Sequence, residues 1–305
     1  MTDADKDRND STSDRRPILP VSEALDRAAD LIRDADALMI TSGAGMGVDS
    51  GLPDFRGPNG FWASYPALGR ARIDFEAAAS PQHFRGNPVQ AWGFYGHRLQ
   101  RYRDTVPSRA FDLLFEWGRA KPHGYFVNTS NVDGQFQKTG FSRDRICEIH
   151  GSMLSLQCMN ACREDFWPAD DFEPVVDEEN CRLVNALPTC PRCGALARPN
   201  VLMFGDWEWV ASQTTLQRLR RDQWIKEAQR LVVVEIGAGV HISTIRSFTQ
   251  SLCRAHGAQA VRINPRNPEI SPKHGIGLRM GGLEALEEIE KRMTAVEPQR
   301  PQAAQ

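Results

Sequence analysis

A doubly wound α/β fold, with a Rossmann-like parallel sheet and a small inserted domain, is the class this sequence predicts. Three observations predict it. Short apolar β-type runs alternate with helical patterns, the first run leads into a glycine-rich turn, and two cysteine pairs interrupt the alternation late in the chain.

The elements follow in order. Residues 1–17 are polar and read as a disordered N-terminal tail. Leu25, Ala28, Ala29, Leu31 and Ile32 recur at helical spacing before the first strand, residues 37–41. Asn87 followed by Pro88 is an N-cap with proline at the first helical position, opening a helix to about Arg103. Phe111, Leu114, Phe115 and Gly118 mark another helix, followed by the strand Tyr125–Thr129. Further strands are expected over Leu231–Ile236 and 260–264, with a helix over 243–255 between them. Such uninterrupted apolar runs suit strands buried on both faces. Residues 18–153 and 198–294 are thus assigned to the Rossmann-like domain and 154–197 to the insertion, with a helical part of the small domain within 58–105. Residues 295–305 read as a disordered C-terminal tail.

Composition narrows the function. The 305 residues are 41% hydrophobic, enough for a substantial core. Lys plus Arg number 37 against 39 Asp plus Glu, a formal charge of −2, which argues against a bulk nucleic-acid binder. No apolar run approaches the roughly 20 residues that span a bilayer, and the charged N-terminal stretch lacks a signal-peptide core. The expected compartment is the cytoplasm, with no membrane partner. Seven cysteines in a reducing compartment point to metal ligands and buried thiols.

Gly43, Ala44, Gly45 and Gly47 form a turn directly after the first strand, where missing side chains let backbone N–H groups approach a phosphate. Such turns also serve only to turn. The continuation, Ser50 to Gly57, is more specific, because it sets Asp54, Phe55 and Arg56 in one loop. Asn131, Asp133 and Gly134 follow the strand Tyr125–Thr129, at the end of a parallel strand where ligands bind; the alternative is a surface Asx-turn. Glu148-Ile149-His150-Gly151 offers a histidine that is either structural or a general base. Cys158 and Cys162, then Cys190 and Cys193, supply four thiolates for one structural zinc ion, leaving no open coordination position. The insertion is therefore read as zinc-binding. Cys147, Cys181 and Cys253 read as packed thiols.

Taken in this order, the segments resemble the sirtuin family of NAD-dependent protein deacylases, over roughly residues 25–289. GAGMGVDSGLPDFRG is similar to the family's cofactor loop, TSNVDG to its Thr-Gln-Asn-Ile-Asp-Gly segment and EIHG to its catalytic Leu-His-Gly. RPNVLMFGD (198–206), with Met203, Phe204 and Gly205, resembles the strand that clamps the substrate peptide. Gly237, Ala238, Asn264 and Pro265 fall where the family contacts the adenosine ribose.

The resemblance implies that NAD is consumed as co-substrate and that acyl-lysine proteins or peptides are the partners; the sequence does not reveal the oligomeric state, and a monomer is the expectation. Asn131 and Asp133 would hold the nicotinamide carboxamide. The acyl oxygen would attack the ribose carbon as nicotinamide leaves, forming an alkylimidate, and His150 would deprotonate a ribose hydroxyl. Phe55 would shield the reactive sugar and Arg56 position the loop.

Two positions depart from the pattern: Gly47 replaces the family's usual serine, and Ser130 the glutamine that contacts a ribose. Tyr95 and Arg98 match the Tyr-x-x-Arg pair of sirtuins that remove succinyl and malonyl groups; the alternative is an exposed Arg beside a packed Tyr. Competing functions are an NAD glycohydrolase or ADP-ribosyltransferase, and a non-catalytic NAD-sensing module.

Overall fold

The protein is described by a computed structural model over residues 20–54 and 57–295. The two expected tails lie outside the described residues except for Ala295, which closes the last helix. Phe55 and Arg56 also lie outside them.

The chain begins with α1 (Val21–Asp34), β1 (Ala37–Ser42) and a 3-10 turn (Ala44–Ser50). Five helices follow: α2 (Gly57–Ser64), α3 (Pro66–Arg70), α4 (Phe75–Ala78), α5 (Pro81–Gly86) and α6 (Pro88–Asp104). Then come α7 (Arg109–Arg119), β2 (Tyr125–Thr129), α8 (Gln135–Lys138), β3 (Ile146–Glu148) and β4 (Gly151–Cys158). The short strands β5 (Phe166–Pro168), β6 (Val176–Asp177) and β7 (Arg182–Leu183) precede β8 (Ala197–Val201). The chain closes with α9 (Ser212–Glu227), β9 (Leu231–Ile236), α10 (Thr244–His256), β10 (Gln259–Ile263), β11 (Gly275–Leu278) and α11 (Gly282–Ala295).

Six strands pair in parallel in the order β11-β10-β9-β1-β2-β3. Renumbered within the sheet and read from the β3 edge, this is 3-2-1-4-5-6, the doubly wound order of dinucleotide-binding sheets. The four runs expected as strands are four of its members. β3 and β11 are too short for periodicity to reveal. Successive residues of β1 serve opposite cores. Ile40 packs with Leu25, Ile32, Leu114 and Ile289 on the α1, α7 and α11 side. Met39 packs with Phe126, Trp224 and Leu252 on the α9 and α10 side.

A third core lies outside this sheet. Phe61, Trp92, Phe94 and Tyr95 of the helical segment pack with Met153, Leu156, Leu183 and Val201 of the later strands. The insertion and the α2–α6 segment therefore share one hydrophobic cluster. The antiparallel sheet β5-β4-β8 supports it, so the boundary drawn at 154 falls inside β4 and residue 197 opens β8. At the start of α6, Asn87 Oδ1 accepts the Gln90 N–H at 3.2 Å, with Pro88 in the first turn. No described helix is long and apolar enough to cross a membrane.

Candidate functional site

The order of strands reverses between β1 and β9, and the loops leaving their C-terminal ends meet there. Gly43 N–H donates to Ile236 O at 3.1 Å, and Gly45 N–H to Gly237 O at 3.2 Å. Contact is so close that a Cβ on Gly45 would sit 2.6 Å from Gly237 Cα, and one on Gly237 2.4 Å from Gly45 Cα. The sequence suggested room for a phosphate as the reason for these glycines; the structure adds backbone packed against backbone. Ala44 stands exposed at the lip, and Asp54 is half-buried. Gly47 is buried against Leu52, whose Cβ would lie 3.1 Å from an added Cβ. The far end of the turn is tied down by Arg101 Nη2, which donates to Gly51 O at 2.7 Å, and by the Ser108 N–H on Ser50 Oγ at 2.9 Å.

Next along the sheet, β2 delivers Ser130, Asn131 and Asp133. Ser42 Oγ donates to Thr129 Oγ1 at 2.7 Å, and that oxygen accepts the Asn131 N–H at 3.0 Å. Ser130 N–H continues the ladder onto Ser42 O at 3.0 Å. Asp133 is buried, and its Oδ1 accepts the Gln135 N–H at 3.1 Å. Burial pushes its carboxyl above the usual range, against the pull of that N–H and of the Arg98 charge.

β3 delivers the histidine. Ile149 N–H bonds Thr129 O at 2.9 Å, and His150 O accepts the Leu202 N–H at 2.9 Å, so the segment is strung between β2 and the loop after β8. Gly151 has φ +75°, and a Cβ there would lie 2.1 Å from Asn200 O. Only glycine lets the chain turn from β3 into β4 at this contact. Burial lowers the His150 pKa, outweighing a hydrogen bond with the Ser130 backbone, and Arg218 lowers it further. The ring is thereby kept neutral and able to accept a proton near neutral pH.

Glu148, two residues earlier, was not singled out by sequence. It is buried and pushed up to about 7 by that burial, against hydrogen bonds with Gln137 and Ser152. Periodicity carries no signal for it, because its burial is set by segments that meet only on folding.

The residues expected at the adenosine ribose lie on the loops after β9 and β10. Ala238 is buried, and its carbonyl accepts from Asn264 Nδ2 at 3.0 Å and from Arg246 Nε at 3.1 Å. Asn264 Oδ1 takes the N–H groups of Arg266 and Asn267, both at 3.0 Å, while Pro265 is exposed. Asn264 therefore works as a strut between the two loops.

The segment 203–205 is held by a buried ion pair that sequence reasoning also missed. Arg198 Nη1 lies 2.8 Å from Asp206 Oδ2, and both side chains are fully buried. Asp206 also accepts the N–H groups of Met203 at 3.3 Å and Glu208 at 3.2 Å. Phe204 N–H donates to Ala79 O at 2.9 Å, and its ring meets Phe75 edge-on. Gly205, exposed and at φ +64°, makes the turn.

On α6, Tyr95 and Arg98 are both buried rather than on a solvated face. Arg98 donates from Nε and Nη2 to Tyr102 Oη at 3.0 and 2.8 Å, and it lies over the rings of Phe94, Tyr95 and Tyr102. Burial pushes the Tyr95 hydroxyl up to about 12, so it stays a neutral donor.

Away from the sheet, the thiols of Cys158, Cys162, Cys190 and Cys193 lie within 4.8 Å of one another. Cys158 and Cys193 are 3.6 Å apart and Cys162 and Cys190 3.7 Å. A tetrahedral zinc with Zn–S bonds of about 2.3 Å needs sulfurs roughly 3.8 Å apart, whereas a disulfide would bring them to about 2.05 Å. The donor set fits one structural zinc ion.

Comparison with known proteins gives a consistent result. The family model described as "Sir2 family" matches residues 43–242. An NAD-dependent protein deacylase of Thermus thermophilus is 28% identical over 273 residues, covering 87% of this chain and 93% of that protein. One of Thermococcus kodakarensis is 28% identical over 281 residues, covering 90% and 98%. Among solved structures, a complex of a Sir2 homologue mutant with ADP-ribose aligns with a TM-score of 0.66 at 25% identity, covering 88% of this chain and 96% of that one.

Proposed function

The chain belongs to the Sir2 family, and from that premise we propose that it is an NAD-dependent protein-lysine deacylase acting in the cytoplasm as a monomer. The observation that carries this is the convergence of Asn131, Asp133 and the neutral His150 on adjacent strand ends beside the Gly43–Gly45 turn. Bound NAD supplies an activated ribose, once its nicotinamide bond opens, to which the acyl group passes. This chain's residues do the rest. The Gly43–Gly45 turn would receive the pyrophosphate, and Gly237, Ala238, Asn264 and Pro265 the adenosine ribose. Asp54, Phe55 and Arg56 are assigned, by their place in the motif, to the nicotinamide end. Asn131 and Asp133 orient the carboxamide, with Ser130 beside the ribose. His150 Nδ1 or Nε2 accepts a ribose hydroxyl proton. Met203, Phe204 and Gly205 take the peptide as an added strand. Cys158, Cys162, Cys190 and Cys193 would hold zinc in a closed site that stabilises the insertion without taking part in the reaction.

A second reading refines the acyl group. A buried guanidinium at Arg98, beside the neutral Tyr95 hydroxyl, favours an acyl chain ending in a carboxylate, such as succinyl or malonyl. Both readings are tested with NAD and acetyl- or succinyl-lysine peptides. The protein is expected to release nicotinamide only with peptide present, and His150→Ala to lower kcat by about 10²–10⁴-fold. Product formation unaffected by His150→Ala would sink the mechanism. Peptide-independent nicotinamide release would favour a glycohydrolase, and NAD binding without turnover a sensing module. Arg98→Met is expected to lose desuccinylation selectively; unchanged selectivity defeats the acidic-acyl reading.

A further inference from the structure

Trp207 is 97% exposed, more than any other large hydrophobic side chain among the described residues. It does not stand on a loose loop. On one side, the Asp206 carboxylate is fully buried against Arg198 and accepts the N–H groups of Met203 and Glu208. On the other, Glu208 O accepts from Gln157 Nε2 at 2.8 Å, and the Glu208 carboxylate pairs with Arg85 of α5. Backbone pinned on both flanks holds in water an indole that would otherwise bury about 150–250 Å². Trp207 follows Gly205 by two positions, a backbone reach of roughly 7 Å, which sets it beside the segment proposed to take the peptide. Neighbouring charge does not select a charged partner, because Arg85 and Glu208 already neutralise each other.

We propose that Trp207 is a specificity-determining contact for the protein substrate, packing its indole face against a bulky apolar or aromatic side chain next to the acyl-lysine. This rests on the deacylase reading. Rigid, exposed tryptophans carry a large share of binding energy where they meet a partner, since little order is lost on contact. The test compares two acetyl-lysine peptides, with phenylalanine or with alanine at both flanking positions, by kinetics and by titration calorimetry on the full chain. The wild type is expected to favour the phenylalanine peptide about tenfold, in peptide KM rather than kcat, and Trp207→Ala to shrink that preference to about twofold. Trp207→Phe should keep most of it. A preference that survives Trp207→Ala, or is missing from the wild type, overturns the contact. Equal weakening of both peptides assigns Trp207 to the loop's own folding and overturns it too. If neither peptide is deacylated, the deacylase reading fails by itself, while the calorimetric preference still decides the role of Trp207.

Discussion

β1 and β9 bury all six of their residues, whereas β5 and β6 of the insertion have none fully buried. The difference shows how each region is held. In the parallel sheet, helices cover both faces and apolar burial does the work, at about 25 cal/mol per Å². The insertion has short strands and little surface to bury. It depends on four clustered thiols and the hydrophobic cluster it shares with α2–α6. The proposed chemistry falls where the two meet, because β3 passes straight through His150 into β4.

The largest expected effect strikes the insertion alone. Metal affinity in such sites is folding free energy, about 10–16 kcal/mol in small zinc domains. Cys190→Ser, or removal of the ion by a chelator, should therefore unfold the 158–193 region and abolish deacylation. The parallel sheet should survive, read by hydrogen exchange in β1 and β9. Loss of protection in β1 at the same time would mean that the two regions fold as one.

A smaller effect is expected at the join. The folded Glu148 carboxyl stands at about 7 against 4.5 for the free group, so the folded state holds the proton more tightly. The stability this lends is complete below about pH 4.5 and is lost as pH rises through about 7. At 1.36 kcal/mol per unit, the loss is at most roughly 3 kcal/mol. Urea unfolding of Glu148→Gln should lack this loss, so the wild type weakens relative to the variant as pH rises. A difference that does not vary with pH would show that Glu148 is not the titrating group.

The smallest effect tests the crevice. Gly45→Ala must displace the Gly237 backbone, an overpacking cost of about 1–3 kcal/mol. It should raise the KM for NAD while leaving the KM for peptide nearly unchanged. An unaltered NAD KM would mean that the two loops can separate without disturbing the cofactor.

Much of this was legible in the chain. Tyr125–Thr129 and Leu231–Ile236 coincide with β2 and β9, because long apolar runs bounded by turn residues have few other solutions. Asn131 and Asp133 stood out as polar residues just past an expected strand end, the open edge of a parallel sheet, while His150 was legible only through its Glu-Ile-His-Gly motif. Glu148, Arg198 with Asp206, and Arg101 on Gly51 O did not. Each owes its role to a partner met only on folding, or to burial, neither of which leaves a periodic trace. The bond from Arg98 to Tyr102 lies one helical turn along α6, a spacing that the sequence does carry.

By itself, the sequence determined the alternation of elements, the cysteine knuckles and the order of the polar clusters, since these depend on local spacing and residue chemistry. Tertiary structure alone decided why Gly45 and Gly237 must be glycine, that Arg98 is caged by aromatic rings, and that Trp207 is left in water. Those properties depend on which backbone or ring arrives from far along the chain, and on whether water is excluded when it does.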